Sequence, residues 1–515
     1  MGMRRRAWGV GALRKRWRGQ VVGSNGGWPL WAVTLVVANG SGLGPLLIDG
    51  QNLTATRLTP VISAAVLEDA NDELIMLVLG LLGDADKDVR ALGLEQVRTD
   101  AKGAKATQQF AAQLPKMNAE GQVGLLGALA DRGDKAARPV VLALLQSTNS
   151  SPVRAAAVKA LGDLGEPTDT AVLMKYLVAE GDSAEELNLK AAARLGLSRL
   201  AGDEVSRVIA ASLTNGSATG RVSLMEVLVT RRATSAVPAL LTVATSDDAT
   251  SRTAAMAALG QLASPADMAG LVAGVLRATA GAERESAEKC VAQVCFRVTE
   301  VSQRSTQLLE AWQRRSVAEQ RLLLSCLGRV GGAKVREVLE QAIENREGTI
   351  HDAGLRAICN WPDATIAPRY LELLKADAHE DHRTLVLRAL IRVAPLADER
   401  TPADRLAILG KCMQLSQRDA ERQLVLARVS AVRTVESLRF VLPYVEQKSL
   451  AKSACLAVVE LAHHRELRDA NKAEFEKALD RVLAVSDDAV VKDRATRYKK
   501  GQTWTRPTKS SGEKS

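Results

Sequence analysis

Apolar and polar positions along this chain follow two periods: a helical one of three to four residues, and above it a recurrence of about 33 residues. With Val97 as anchor, equivalent apolar positions fall at Leu129, Leu161, Leu197, Leu228, Leu259, Val294, Leu327, Ile358, Leu390, Ala427 and Val459. The steps between them run from 31 to 37 residues. A recurrence of that length marks a stacked array, because one short supersecondary unit cannot bury its apolar face alone and must pack it on the next.

The recurrence has content as well as length. Seven residues before the anchor stands a basic side chain (Arg90, Arg154, Lys190, Arg221, Arg252, Arg383, Lys452), or His351, Gln122 or Gln320. Four residues earlier come short polar residues: Asp86, Asn118, Ser150, Ser217, Asp248, Ser316 and Ser416. Such residues cap helices by accepting the orphan N–H groups of the first turn. Between cap and anchor the slots hold small and aliphatic residues, as in Val153, Ala156, Ala157, Ala160 and Leu161, spaced to share one helical face. Four residues after the anchor the chain turns on Gly or Ala, as at Gly133, Gly165 and Gly331. Each unit is therefore predicted to be two short helices. The second runs from cap to turn, and the first is an aliphatic stretch such as Thr170–Leu177, Val205–Leu213 or Val335–Ile343. Helices this short are marginal alone and depend on packing.

The stretch Pro152-Val153-Arg154-Ala155-Ala156-Ala157-Val158-Lys159-Ala160-Leu161-Gly162-Asp163-Leu164-Gly165 resembles the HEAT repeat, in the short bacterial form also called the bilin-lyase HEAT-like repeat. Asp248–Leu262 matches nearly as well, and Asp84–Val97 in part. Units after Cys290 follow by period alone. The resemblance covers roughly residues 61–490. It implies an all-α fold, a right-handed α-solenoid of about twelve two-helix HEAT-like repeats, whose second helices line a concave surface. It also implies a ladder between neighbouring repeats, in which Arg90, Arg154 and Arg252 would be rungs rather than a ligand-binding row.

Charge is concentrated at the two ends. The net charge is +10, but residues 1–20 hold seven basic and no acidic residues, and residues 492–515 hold eight basic and two acidic ones. A phosphate-binding footprint belongs on the folded surface, so no nucleic-acid partner is expected. Residues 1–38 combine that basic run with the apolar stretch Trp28–Ala38, too short to span a membrane comfortably. They are expected to be a signal peptide or an uncleaved single N-terminal anchor, placing the chain in the periplasm or cell envelope. Residues 39–60 are expected to be a linker and 491–515 a basic disordered tail.

The usual signs of catalysis are missing. The six cysteines form no C-x-x-C pair, and Gly331-Gly332-Ala333-Lys334 lacks phosphate-loop spacing. His379-Glu380-Asp381-His382 places two imidazoles at i,i+3, a spacing that suits a divalent metal, yet it falls in a polar inter-helix link. No catalytic residue, cofactor or metal is therefore expected. The reading is a non-enzymatic scaffold that binds a protein or peptide on the concave face. The alternatives are a tetrapyrrole (bilin) lyase-like enzyme, implied by the resemblance, and a helper array for envelope carbohydrate-processing enzymes. Candidate contact residues are Lys159, Arg356 and Arg388, two before the anchor on the outward face of the second helix, together with Trp361, whose rigid turn with Pro362 points first to core packing and second to a partner contact. Two long steps add the segments Ala179–Glu186 and Ala394–Asp404. Insertions of this kind often carry binding.

Overall fold

The computed structural model describes residues 64–345, 347–376 and 379–504. The expected leader and linker lie outside them. The chain divides into Met1–Ala70, of which the start of helix Ala64–Leu82 is described, and Asn71–Ser515, which holds the array. Among the described residues there are twenty-seven α-helices, nine one-turn 3-10 segments and no strand. No helix among them is long and apolar enough to cross a membrane.

Helices pair as the recurrence predicts. Repeats 1 to 4 are Ala64–Leu82 with Lys87–Thr99, Ala104–Ala111 with Ala119–Arg132, Arg138–Ser147 with Ser151–Leu164, and Thr170–Leu177 with Ala184–Arg199. Repeats 5 to 8 are Asp203–Ala211 with Ala218–Thr230, Val237–Ala244 with Ala249–Leu262, Met268–Arg277 with Ala282–Cys295, and Thr306–Gln313 with Val317–Val330. Repeats 9 to 12 are Ala333–Glu344 with Gly348–Ile358, Ala367–Ala376 with Glu380–Val393, Pro402–Leu415 with Asp419–Val429, and Val435–Val441 with Ala451–His463. Second helices stack on second helices, and for much of the array first helices stack on first, giving the two layers of an α-solenoid.

The anchors form the spine of the second layer. All of them except Ala427 are buried. Ala427 is exposed and Leu426, one residue earlier, takes its place in the core. The same displacement moves the cap: Ser416 closes the first helix of repeat 11, and the second helix starts after Arg418. Ser150 holds the cap position of repeat 3 but its side chain accepts no first-turn N–H; five of the other caps fall as predicted. Asp86, Asn118, Ser217, Asp248 and Ser316 each accept a backbone N–H in the first turn of a second helix.

With few aromatics, helices can approach closely where a glycine removes the last side-chain atom. A Cβ on Gly162 would lie 2.6 Å from Gly196 Cα, so the second helices of repeats 3 and 4 meet backbone to backbone. A Cβ on Gly328 would lie 1.9 Å from Ala357 O, which sets the approach of repeats 8 and 9.

The C-terminal boundary needs correction. The chain does not lose its structure at residue 491: helix Ala489–Lys499 packs on the array and buries Val491, Arg494, Ala495 and Tyr498. Its basic composition misleads because the charges are paired. Arg494 Nη1 donates to Glu460 Oε1 at 2.6 Å and its guanidinium lies over the Trp504 ring at 5.0 Å. This helix, with Arg465–Ala470 and Lys472–Val485, closes the end of the array.

Candidate functional site

The recurring polar slots turn out to be structural. The residue seven before the anchor donates to carbonyls at the end of its own first helix or the loop that follows. Arg154 Nη2 reaches Thr148 O at 2.9 Å, Gln122 Nε2 reaches Leu114 O at 2.9 Å, and Gln320 Nε2 reaches Trp312 O at 3.3 Å. His351 Nδ1 lies 2.5 Å from Ile343 O in the same role. A helix leaves its last carbonyls without intrahelical donors, and this slot supplies one. The inter-repeat ladder holds for Arg252, which pairs with Glu283 Oε1 of repeat 7 at 2.8 Å, and for Arg221, which reaches Asp248 Oδ2 at 3.1 Å. Arg90, like Arg154, serves its own loop carbonyls instead.

A second set of arginines, just beyond the anchor, was not anticipated. Arg132 donates to Val97 O and Asp100 O of the preceding repeat at 2.9 and 2.7 Å. Arg231 does so to Leu197 O and Leu200 O, both at 2.6 Å, Arg297 to Gly260 O and Ala263 O, and Arg392 to Cys359 O and Trp361 O. Each caps the C-terminus of the previous second helix with a rigid fork of donors. The signal in the sequence is a basic residue two or three after the anchor, present in some repeats and not others.

A groove of about 1060 Å³ lies between the second helices of repeats 4 and 5. It lies where the first long step adds residues. The inserted loop ends at Ser183, whose hydroxyl and Glu186 form a reciprocal cap that starts the longer helix Ala184–Arg199. Leu177, Val178, Leu187, Ala191, Leu195 and Gly220 give the groove an apolar lining, with Leu187 53% exposed. Glu180 and Asp182 stand exposed on its lip. Lys190 Nζ is turned onto Gly181 O at 2.6 Å, and Arg194 is held by Glu226 at 2.7 Å, so the basic residues of the rim are already engaged. Gly181, at φ 107°, lets the loop fold back over Lys190.

The predicted basic contact residues lie on three different repeats. Lys159, Arg356 and Arg388 are exposed on the second helices of repeats 3, 9 and 10. Arg388 is engaged by Glu421 of repeat 11, at 2.8 Å. Trp361 is a correction: it is 4% exposed and its indole Nε1 lies 3.3 Å from both Asp363 Oδ1 and Thr365 Oγ1. With Pro362 it packs against Gly331 of the preceding repeat, which makes the Trp-Pro turn a core element.

All six cysteines are free and buried. Burial pushes the thiols of Cys295, Cys359 and Cys412 up to about 12, far from thiolate reactivity. Among the described residues one cluster with metal-binding chemistry forms. His382 Nε2 lies 3.1 Å from Asp352 Oδ1 of the preceding repeat, and the rings of His351 and His382 have centroids 5.6 Å apart. The i,i+3 pair read from the sequence gave His382 its neighbour His379, at 5.1 Å between centroids, but not these two cross-repeat partners.

Two-helix units stacked in two layers, with capped helix ends and an Arg–acid ladder, define an α-solenoid of the kind built from HEAT repeats. Residues 107–198 match the HEAT repeats family, and two-helix units of the same kind continue on both sides of that stretch. Among curated proteins none matches the chain in sequence. Of solved structures, Kap121p bound to Pho4p is similar at 12% identity and a TM-score of 0.43, over 81% of this chain and 54% of that one. Kap95p, from a structure of its binding to RanGDP, gives 12% and 0.41 over 83% and 65%. Human deoxyhypusine hydroxylase in complex with glycerol gives 21% and 0.21 over 45% and 99%. The chain thus spans about half the length of Kap121p. None of these likenesses carries an argument about what this chain binds or catalyses.

Proposed function

We propose that the chain is a non-enzymatic interaction scaffold that holds an aliphatic, basic segment of a protein partner in the groove between repeats 4 and 5. The observation that carries this is the groove itself: an apolar floor with Leu187 half exposed, and Glu180 and Asp182 on the lip while Lys190 and Arg194 are engaged elsewhere. Its volume is at the upper end of the range for small-molecule pockets, about 300–1,000 Å³, and its lining comes from two neighbouring second helices, which suits a peptide lying between them. Buried thiols remove the cysteine nucleophile that a lyase-type reading would call on. The partner is sought in the cell envelope, where the basic and apolar stretches of residues 1–38 would send the chain.

The test is fluorescence anisotropy with labelled decapeptides that alternate leucine with lysine, or leucine with glutamate. The wild-type chain should bind the lysine series in the micromolar range and the glutamate series at least tenfold more weakly. Leu187→Ser should weaken both, and Glu180→Lys with Asp182→Lys should invert the charge preference. Equal binding of both series, unchanged by these substitutions, would remove the groove as the site.

A further inference from the structure

We propose that the seam between repeats 9 and 10 binds a divalent transition metal of the zinc type through His351, Asp352 and His382. His351 and Asp352 lie on the second helix of repeat 9, and His382 is in the first turn of the second helix of repeat 10. One ligand atom from each lies within 4.8 Å of the others. Ligand atoms around tetrahedral zinc, bound at about 2.0–2.1 Å, sit roughly 3.3 Å apart. Closing the site therefore needs side-chain shifts of about 1 Å, within reach of an imidazole and a carboxylate on facing helices.

The His351 tautomer supports this assignment. The Ile343 carbonyl can only accept, so the 2.5 Å contact places the proton on Nδ1 and leaves Nε2 as the lone-pair nitrogen. Support of one ring nitrogen by a backbone carbonyl is the usual outer-shell arrangement of a metal-ligating histidine. The same slot is filled by Arg154, Gln122 and Gln320 in other repeats, each capping a first helix. Capping alone therefore does not call for histidine here. What histidine adds is a second nitrogen, with a carboxylate next to it on the same helix and another imidazole across the seam.

Two imidazoles and a carboxylate favour zinc, cobalt or nickel over magnesium or calcium. The Asp352 side chain is 51% exposed and that of His382 17%, so the site is reached from solvent and a water can complete the shell. The second helices of repeats 9 and 10 touch far less than those of repeats 8 and 9, although Arg392 joins their C-terminal ends. A metal at the N-terminal ends would tie this loose seam.

The experiment is calorimetric titration of the EDTA-treated full chain with zinc chloride, with visible absorption of the cobalt-substituted chain as second readout. The wild-type chain should bind one zinc at this site and give cobalt bands of a tetrahedral nitrogen–oxygen site. His351→Gln keeps the bond to Ile343 O, as Gln122 and Gln320 do in their repeats, but removes the ligand. It, His382→Gln and Asp352→Asn should each weaken zinc at least tenfold and abolish the cobalt bands. The paired change His463→Gln with His464→Gln should leave both readouts unchanged. Melting curves of the apo variants separate misfolding from ligand loss: zinc should raise the midpoint of the wild type and of none of the three site variants above its own apo value. No zinc binding by the wild type, or full binding by His351→Gln and His382→Gln, would overturn the assignment.

Discussion

Replacing Gly328 by alanine tests whether backbone contact sets the spacing of the array. Gly328 lies inside the second helix of repeat 8, next to the buried Leu327. An added Cβ would meet Ala357 O at 1.9 Å and Ala357 C at 2.6 Å, and these are backbone atoms that no rotamer change can move. Contact has to be restored to roughly van der Waals distance, about 3.5 Å, so the two helices separate by more than an ångström. A gap of 0.5–1 Å already forfeits about a quarter to a half of each dispersion well along the seam. Overpacking costs about 1–3 kcal/mol when side chains can adjust, and more when backbone must move. Against this stands a helix-propensity gain of about 1 kcal/mol for alanine over glycine. The net expectation is a loss of about 2–3 kcal/mol. Gly127, inside the second helix of repeat 2, would carry a Cβ with nothing within 4 Å of it, so Gly127→Ala should stabilise by about 0.5–1 kcal/mol. Urea unfolding followed by circular dichroism gives the midpoints. Hydrogen exchange read by mass spectrometry locates the effect, which matters because repeat arrays need not unfold in one step. A Gly328→Ala midpoint at or above wild type, with unchanged exchange over residues 317–358, would refute the reasoning.

Arg252→Met should cost about 3–5 kcal/mol, because it strands Glu283, whose side chain is 13% exposed, beside an uncharged neighbour; adding Glu283→Leu should recover most of the loss, and a double-mutant cycle in urea measures this. Asp248 is held at about 2 by the Ser251 hydroxyl and N–H, with Arg221 assisting. Since its folded value lies below the usual carboxylate range, its stabilising contribution is complete above about pH 4 and fades as pH falls toward 2. Asp248→Asn should remove that part of the acid dependence, and an unchanged profile of unfolding midpoint against pH would count against the cap.

The sequence made the array legible because its two periods come from the same physics as the fold. A helical stripe must be buried, and a short unit can bury it only on its neighbour. Eleven anchors and the first-helix stretch Thr170–Leu177 follow from that. Where the reading slipped, a local rule was outvoted by packing. Ala427 fits the period, but Leu426 buries more surface. Helix Ala489–Lys499 looks like a polar tail until Glu460 is seen to neutralise Arg494. Of the two roles open to Trp361, the structure keeps core packing, with Gly331 leaving room for its ring, and removes the partner contact. The long step before Leu197 pointed to the groove, since an insertion has to emerge somewhere. The His351–Asp352–His382 cluster could not be read, because it joins side chains some thirty residues apart on two neighbouring helices.

The arginine clamps give the array a direction in time. Arg132, Arg231, Arg297 and Arg392 all reach toward the N-terminus, to carbonyls 31–37 residues earlier in the chain. Of the residues seven before the anchor, Gln122, Arg154 and Gln320 act by contrast within their own repeat. On a ribosome adding about 5–20 residues per second, an emerging repeat can close its own loop at once but waits about 2–7 s for its successor's clamp. A unit awaiting such a clamp leaves the exit tunnel with the end of its second helix open to solvent or to a chaperone until the next repeat arrives.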